Sequence, residues 1–123
     1  MIGYHLSQAQ TALHVFKAYL QNNPQTSMEN LRKAFPRELN NYHYFQNLQY
    51  LFYPAAADNP AWDCGKLEGK IGHGDFYTKE EDLLNLKDGK VMCVRWWKKT
   101  DDSFQNLVDY VNNNYPYIKI EDY

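Results

Sequence analysis

The chain reads as an α+β domain, with a helical first half followed by a small hairpin-containing sheet, a closing helix and a final strand. Three observations predict this. Apolar residues recur at helical spacing through residue 53. That period is lost over residues 54–74, where prolines and glycines crowd together. Beyond residue 75, Asp88-Gly89 separates two apolar runs, the signal of a tight antiparallel turn whose central positions need positive φ. At 123 residues the chain makes a single domain. Such a domain buries about two thirds of the surface its unfolded chain exposes and needs no disulfide or metal staple. A helical triplet ahead of a hairpin is also compatible with a winged-helix-like arrangement.

Ser7-Gln8-Ala9-Gln10 has the capping-box pattern and opens the first helix. Ala9, Ala12, Leu13, Phe16, Tyr19 and Leu20 form its apolar stripe. Asn22-Asn23-Pro24 ends it, because proline disfavours helical geometry in the residue before it. A second box, Thr26-Ser27-Met28-Glu29, opens a short helix bearing Leu31, Ala34 and Phe35, which Pro36 closes. A third helical segment is expected over 37–53, with Phe45, Leu48, Leu51 and Phe52 on one face. An irregular loop follows over 54–74. Next come a short turn capped by Thr78, the Asp88-Gly89 hairpin, and a helix starting near Asp101 or Asp102, acids that suit its positive end. Phe104, Leu107, Val108 and Val111 give that helix its core face, and Asn112-Asn113-Asn114 ends it. Tyr117-Ile118-Lys119-Ile120 alternates like a last strand.

The formal net charge of −2 argues against a generally basic nucleic-acid coat protein, while leaving room for a local basic face. Cys93, within Val91-Met92-Cys93-Val94, reads as a small buried hydrophobe. Cys64 lies among turn residues. Two free thiols in a reducing compartment are expected, and no signal peptide or membrane-length apolar run is visible, so cytoplasmic residence without membrane insertion is the expectation.

Arg95-Trp96-Trp97-Lys98-Lys99 is the first candidate for chemistry. Successive side chains of a strand face opposite sides, so one tryptophan can enter the core while the other faces outward among cations. Arg95, Trp97, Lys98 and Lys99 are therefore the expected contact residues, able to stack on a base or anchor a partner. The structural alternative packs both rings. Arg32, Lys33 and Arg37 form a second basic group. Tyr42, His43, Tyr50 and Tyr53 fall outside the apolar face of the third helical segment; they suggest either an aromatic partner surface or packing beneath the loop. Glu68-Gly69-Lys70 with Asp63 fits the scatter of a metal-dependent nuclease, but these are three common residue types in a glycine-rich stretch, and chance explains them better. Cys64, His5, His14, His43 and His73 lack metal-ligand spacing, and no phosphate loop or nucleophile elbow is present. Hence no metal, no cofactor and no catalytic residue are expected.

The run Asn23-Pro24, Thr26, Leu31, Ala34-Phe35-Pro36, Leu39 resembles a module of small bacterial proteins, in which an Asn-Pro break is followed by a helix ending in Phe-Pro. Phe76-Tyr77-Thr78-Lys79, Leu83, Leu86-Lys87-Asp88-Gly89-Lys90, Val94, Trp96, Phe104, Val108 and Ile118 are similar to its second half. There the strand after the hairpin ends in Gln-Trp-Gly, whereas this chain has Arg95-Trp96-Trp97. The resemblance, to segments of restriction-modification and DNA-transaction proteins, covers most of the chain outside 54–74. It implies a non-enzymatic accessory or recognition module in bacterial DNA restriction, modification or defence, and the Arg95–Lys99 cluster adds DNA or RNA as a candidate ligand. A protein-binding inhibitor or immunity-type protein, with surplus aromatics as anchors, is the alternative. A homodimer is the further expectation from those aromatics.

Overall fold

The computed structural model describes residues 7–40, 50–55, 76–77, 79–95, 97 and 103–120. Among these are three α-helices, α1 (Gln8–Asn22), α2 (Met28–Ala34) and α3 (Ser103–Asn114), with short 3-10 turns at Arg37–Leu39 and Glu80–Asp82. Three strands, β1 (Phe52–Pro54), β2 (Leu84–Leu86) and β3 (Gly89–Cys93), form one antiparallel sheet in the order β1-β3-β2. The mixture of helix and antiparallel sheet agrees with the α+β expectation. No helix among the described residues is long and apolar enough to cross a membrane.

The α1 capping box is complete, the Ser7 hydroxyl accepting from the Gln10 N–H while the Gln10 side chain accepts from the Ser7 N–H. Asn23 follows the last helical residue, as the Asn-Pro break requires. The second cap sits one residue later than Thr26. Ser27 is the N-cap and accepts from Asn30 N–H at 3.1 Å, while buried Thr26 donates its hydroxyl to the Asn23 carbonyl at 2.6 Å. A hydroxyl already spent on the preceding turn cannot cap the helix.

Two further expectations are corrected. Residues 52–54 are strand, not the end of a helix: Phe52 pairs with Cys93, Tyr53 with Met92 and Pro54 with Val91. Pro54 pushes Tyr53 out of helical geometry, and proline is tolerated because β1 is an edge strand. The rest of the expected third helix begins as the turn Arg37–Leu39, and residues 41–49, with Phe45 and Leu48, lie outside the described residues. Residues 117–119 form no strand: they follow a turn closed by Ile118 N–H donating to the Tyr115 carbonyl, and Ile120 makes only an isolated bridge. Thr78, Asp101, Asp102, Cys64 and residues 56–75, with Asp63, Glu68, Lys70 and His73, also lie outside the described residues.

Phe16 is the centre of the core. Its ring meets Phe52 at 4.9 Å, Phe35 at 5.0 Å and Trp97 at 6.1 Å, the first two edge-on. Central strand β3 and its extension bury Val91, Met92, Cys93 and Val94 together, the expected fate of a continuous apolar run in a middle strand. On α3, Phe104, Leu107 and Val111 are buried and Val108 packs partly against them.

Candidate interaction site

The hairpin corner and the start of α2 fold against each other. Leu86 pairs with Gly89, so Lys87 and Asp88 occupy the corner and Gly89 follows it with φ of +135°. The turn is thus displaced by one residue from the Asp88-Gly89 centre that the sequence suggests. From the second corner position the Asp88 carboxylate reaches α2, where both its oxygens accept from the Met28 N–H at 3.2 Å. Lys87 N–H donates to the Thr26 carbonyl at 3.1 Å. An acceptor and a negative charge thereby meet one of the orphan donors at the helix's positive end.

Along the same helix, one turn further, Arg32 reaches β1. Its Nε and Nη2 donate to the Phe52 carbonyl at 3.2 and 2.9 Å. The guanidinium carbon lies 3.7 Å from the Tyr50 ring centroid and 5.5 Å from that of Tyr53. Tyr50 and Tyr53 rings stand edge-on at 6.0 Å, and the Tyr53 hydroxyl accepts from the Tyr50 N–H. Tyr53 is buried, whereas Tyr50 remains 38% exposed. The outcome is an open groove of about 540 Å³ lined by Met28, Glu29, Arg32, Lys33, Tyr50 and Asp88. Two acids and two bases balance there, and Lys33 pairs with Glu29 at 3.3 Å.

Two groups that the sequence suggests separately, the basic Arg32 and Lys33 and the aromatic Tyr50 and Tyr53, therefore meet in one place. Arg37 does not line the groove; its Nη1 donates to the Asn40 carbonyl at 3.2 Å. Tyr42 and His43 lie outside the described residues.

The Trp97 expectation is corrected. Trp97 is only 2% exposed and packs on Phe16, so it belongs to the core and is not an outward contact residue. Its indole Nε1–H has no hydrogen-bond partner among the described residues. Arg95 is exposed, with its guanidinium 5.7 Å from the Tyr77 ring. Trp96, Lys98 and Lys99 lie outside the described residues. Burial, then the neighbouring Cys93, push the Tyr77 hydroxyl up to about 12, with Arg95 opposing them. Burial likewise raises the Cys93 thiol, which keeps it protonated and inert.

Sequence reasoning missed the tyrosines at the end of α3. Tyr110 and Tyr115 both donate their hydroxyls to the Ala34 carbonyl, at 2.7 and 2.9 Å, satisfying the last carbonyl of α2. Tyr110 lies three residues beyond Leu107, a spacing that would have placed it beside the core face. Asn23 and Tyr115 also line a second groove, of about 670 Å³, with Asn22, Gln25 and Asn30. Asn23 spends its amide on the Tyr19 carbonyl and the Tyr117 hydroxyl, and Asn22 spends its own on the Ala18 carbonyl. Among the described residues no three His, Cys, Asp or Glu side chains converge to hold a metal. No protein-family model, no curated protein and no solved structure matches this chain.

Proposed function

We propose that this chain is a non-enzymatic recognition module that binds a protein partner through the groove between α2 and β1. The observation that carries this reading is the Arg32–Tyr50 stack: a guanidinium held at 3.7 Å over a tyrosine that stays partly exposed. Arginine and tyrosine are the residue types that most often anchor protein interfaces, and Met28 adds an adaptable apolar surface beside them. Because the Phe52 carbonyl already fixes the guanidinium, little side-chain freedom remains to be lost on binding. Asp88 and Glu29 in the lining work against a phosphate backbone as the occupant. An inhibitor or immunity-type role fits this surface. So does an accessory role within a DNA restriction, modification or defence complex, and a second copy of the chain is a further candidate occupant.

A second reading, direct nucleic-acid binding, is favoured by exposed Arg95 beside Tyr77, three and four residues before Lys98 and Lys99 in the sequence. A hairpin docked on α1 and α2 supports the winged-helix-like version of it.

One comparison separates the two. Immobilised wild-type chain, Tyr50→Ala and Arg32→Met are exposed to an extract of the source cells, and the retained proteins are identified. In parallel, labelled single- and double-stranded DNA and RNA are titrated at low and high salt. The expected result is a defined protein held by the wild type and lost from both variants, with no salt-sensitive shift of nucleic acid. Retention unaffected by either substitution overturns the groove. A steeply salt-dependent shift that Lys98→Ala with Lys99→Ala weakens moves the function to the nucleic-acid reading. Sedimentation of the wild type decides whether the partner is a second copy.

A further inference from the structure

We infer that the groove is built to receive a single carboxylate of a partner peptide at Arg32, with an apolar residue beside it on Tyr50 and Met28; this rests on the protein-recognition reading above. Arg32 carries a charge that no carboxylate of the described residues neutralises: among those residues it makes two hydrogen bonds, both to the Phe52 carbonyl, and its guanidinium lies over the rings of Tyr50 and Tyr53. Those two bonds use Nε and Nη2, so Nη1 has no hydrogen bond or ion pair among the described residues. A partly buried guanidinium with one nitrogen unspent is a directed donor for an anion, since its planar fork is held in place by the bonds it already makes.

The two acids that line the groove do not serve Arg32. The Asp88 carboxylate is turned onto the Met28 N–H, and Glu29 pairs with Lys33. Their charges nevertheless limit what can enter. One added carboxylate pairs with Arg32 alone, whereas a doubly charged phosphate brings a second negative charge to face Asp88 and Glu29. Beside the cation, the Tyr50 ring and Met28 offer an apolar wall. The fitting ligand is thus an acidic residue, or a chain-terminal carboxyl group, adjacent to an aliphatic or aromatic side chain.

A random peptide library displayed on phage and panned on the wild-type chain tests this. The enriched sequences are expected to share one Asp or Glu, or a free C-terminus, next to a large apolar residue. A synthetic peptide of that sequence is then measured by fluorescence anisotropy with its Glu, with Gln in its place, with phosphoserine in its place, and with an amidated C-terminus. Glu→Gln in the peptide, or amidation if the terminus is the anion, should weaken binding about tenfold, the scale of a charge-assisted hydrogen bond. Phosphoserine should bind more weakly than Glu. On Arg32→Met the Glu and Gln peptides should bind alike, which isolates the pair as a double-mutant cycle does. Should Arg32→Met melt early, the peptide-side ratio on the wild type still decides. Equal binding of both peptides, or stronger binding of phosphoserine, overturns the carboxylate inference; if Tyr50→Ala still abolishes that binding, the recognition reading survives. Enrichment of no peptide that depends on Tyr50 overturns both.

Discussion

Gly89 and Trp97 show how much single residues carry in this fold. The Gly89 backbone sits at φ of +135°, yet a Cβ built there would meet nothing within 4 Å. Substitution therefore strains the backbone without creating a clash. Gly89→Val should destabilise the chain by about 1–3 kcal/mol in urea titration, and Gly89→Ala by a similar amount. An unchanged melt for both would reject the conformation. Trp97 buries an indole whose N–H finds no partner among the described residues. In a chain carrying Trp62→Phe and Trp96→Phe, the remaining fluorescence should be blue-shifted and shielded from iodide. Ready quenching would return Trp97 to the surface.

At the scale of elements, a helix of only seven residues depends on its ends, because its few internal hydrogen bonds leave most terminal groups unpaired. Ser27 and Asp88 satisfy donors at the start of α2, and Tyr110 and Tyr115 satisfy the Ala34 carbonyl at its end. Ser27→Ala should cost about 1 kcal/mol, and Asp88→Ala about 0.5–2 kcal/mol, with Asp88→Asn less damaging because it keeps an acceptor. Chemical denaturation of the two single variants and the double variant measures this. Strict additivity would show that the two caps act independently, whereas coupling would show the hairpin corner and the helix start forming together. The Arg32 bonds to Phe52 tie the other end of this unit to β1, so α2 is joined to both edge strands' side of the sheet by side-chain contacts to backbone.

For the whole molecule, buried weak acids set an alkaline limit. Tyr77 is raised from 10.0 to about 12 by burial, and Cys93 is raised from its ordinary 9.0. Between those ranges the unfolded chain releases protons that the folded chain keeps, so stability falls as pH rises. The stabilising contribution is complete below about pH 9 and is lost progressively toward pH 12. Urea midpoints should decline across that window, and Tyr77→Phe and Cys93→Ala should each flatten the decline. A midpoint independent of pH in that window would contradict the burial of both groups.

Much of α1, α2, α3 and β3 was legible in the residues alone, because local signals agree with the packed result. The Ser7–Gln10 box, the Asn22-Asn23-Pro24 break, the Phe35-Pro36 end and the run Val91–Val94 each act over a few residues, and each has the place that its chemistry suggests. The sequence alone reads residues 52–53 as helix, because Leu51 and Phe52 fit a helical period equally well, and only pairing with β3 arbitrates between the two. The direction of Trp97 was undecidable in the same way, since alternation along a strand says that one ring turns inward without saying which. Local chemistry also offered Arg32 and Tyr50 as members of two unrelated groups, eighteen positions apart. Their meeting over the Phe52 carbonyl, and the reach of the Asp88 carboxylate from the hairpin corner to the start of α2, depend on how the hairpin, α2 and β1 pack. Long-range contacts of that kind leave no period or motif in the chain, because they arise from the sum of core packing rather than from neighbouring residues.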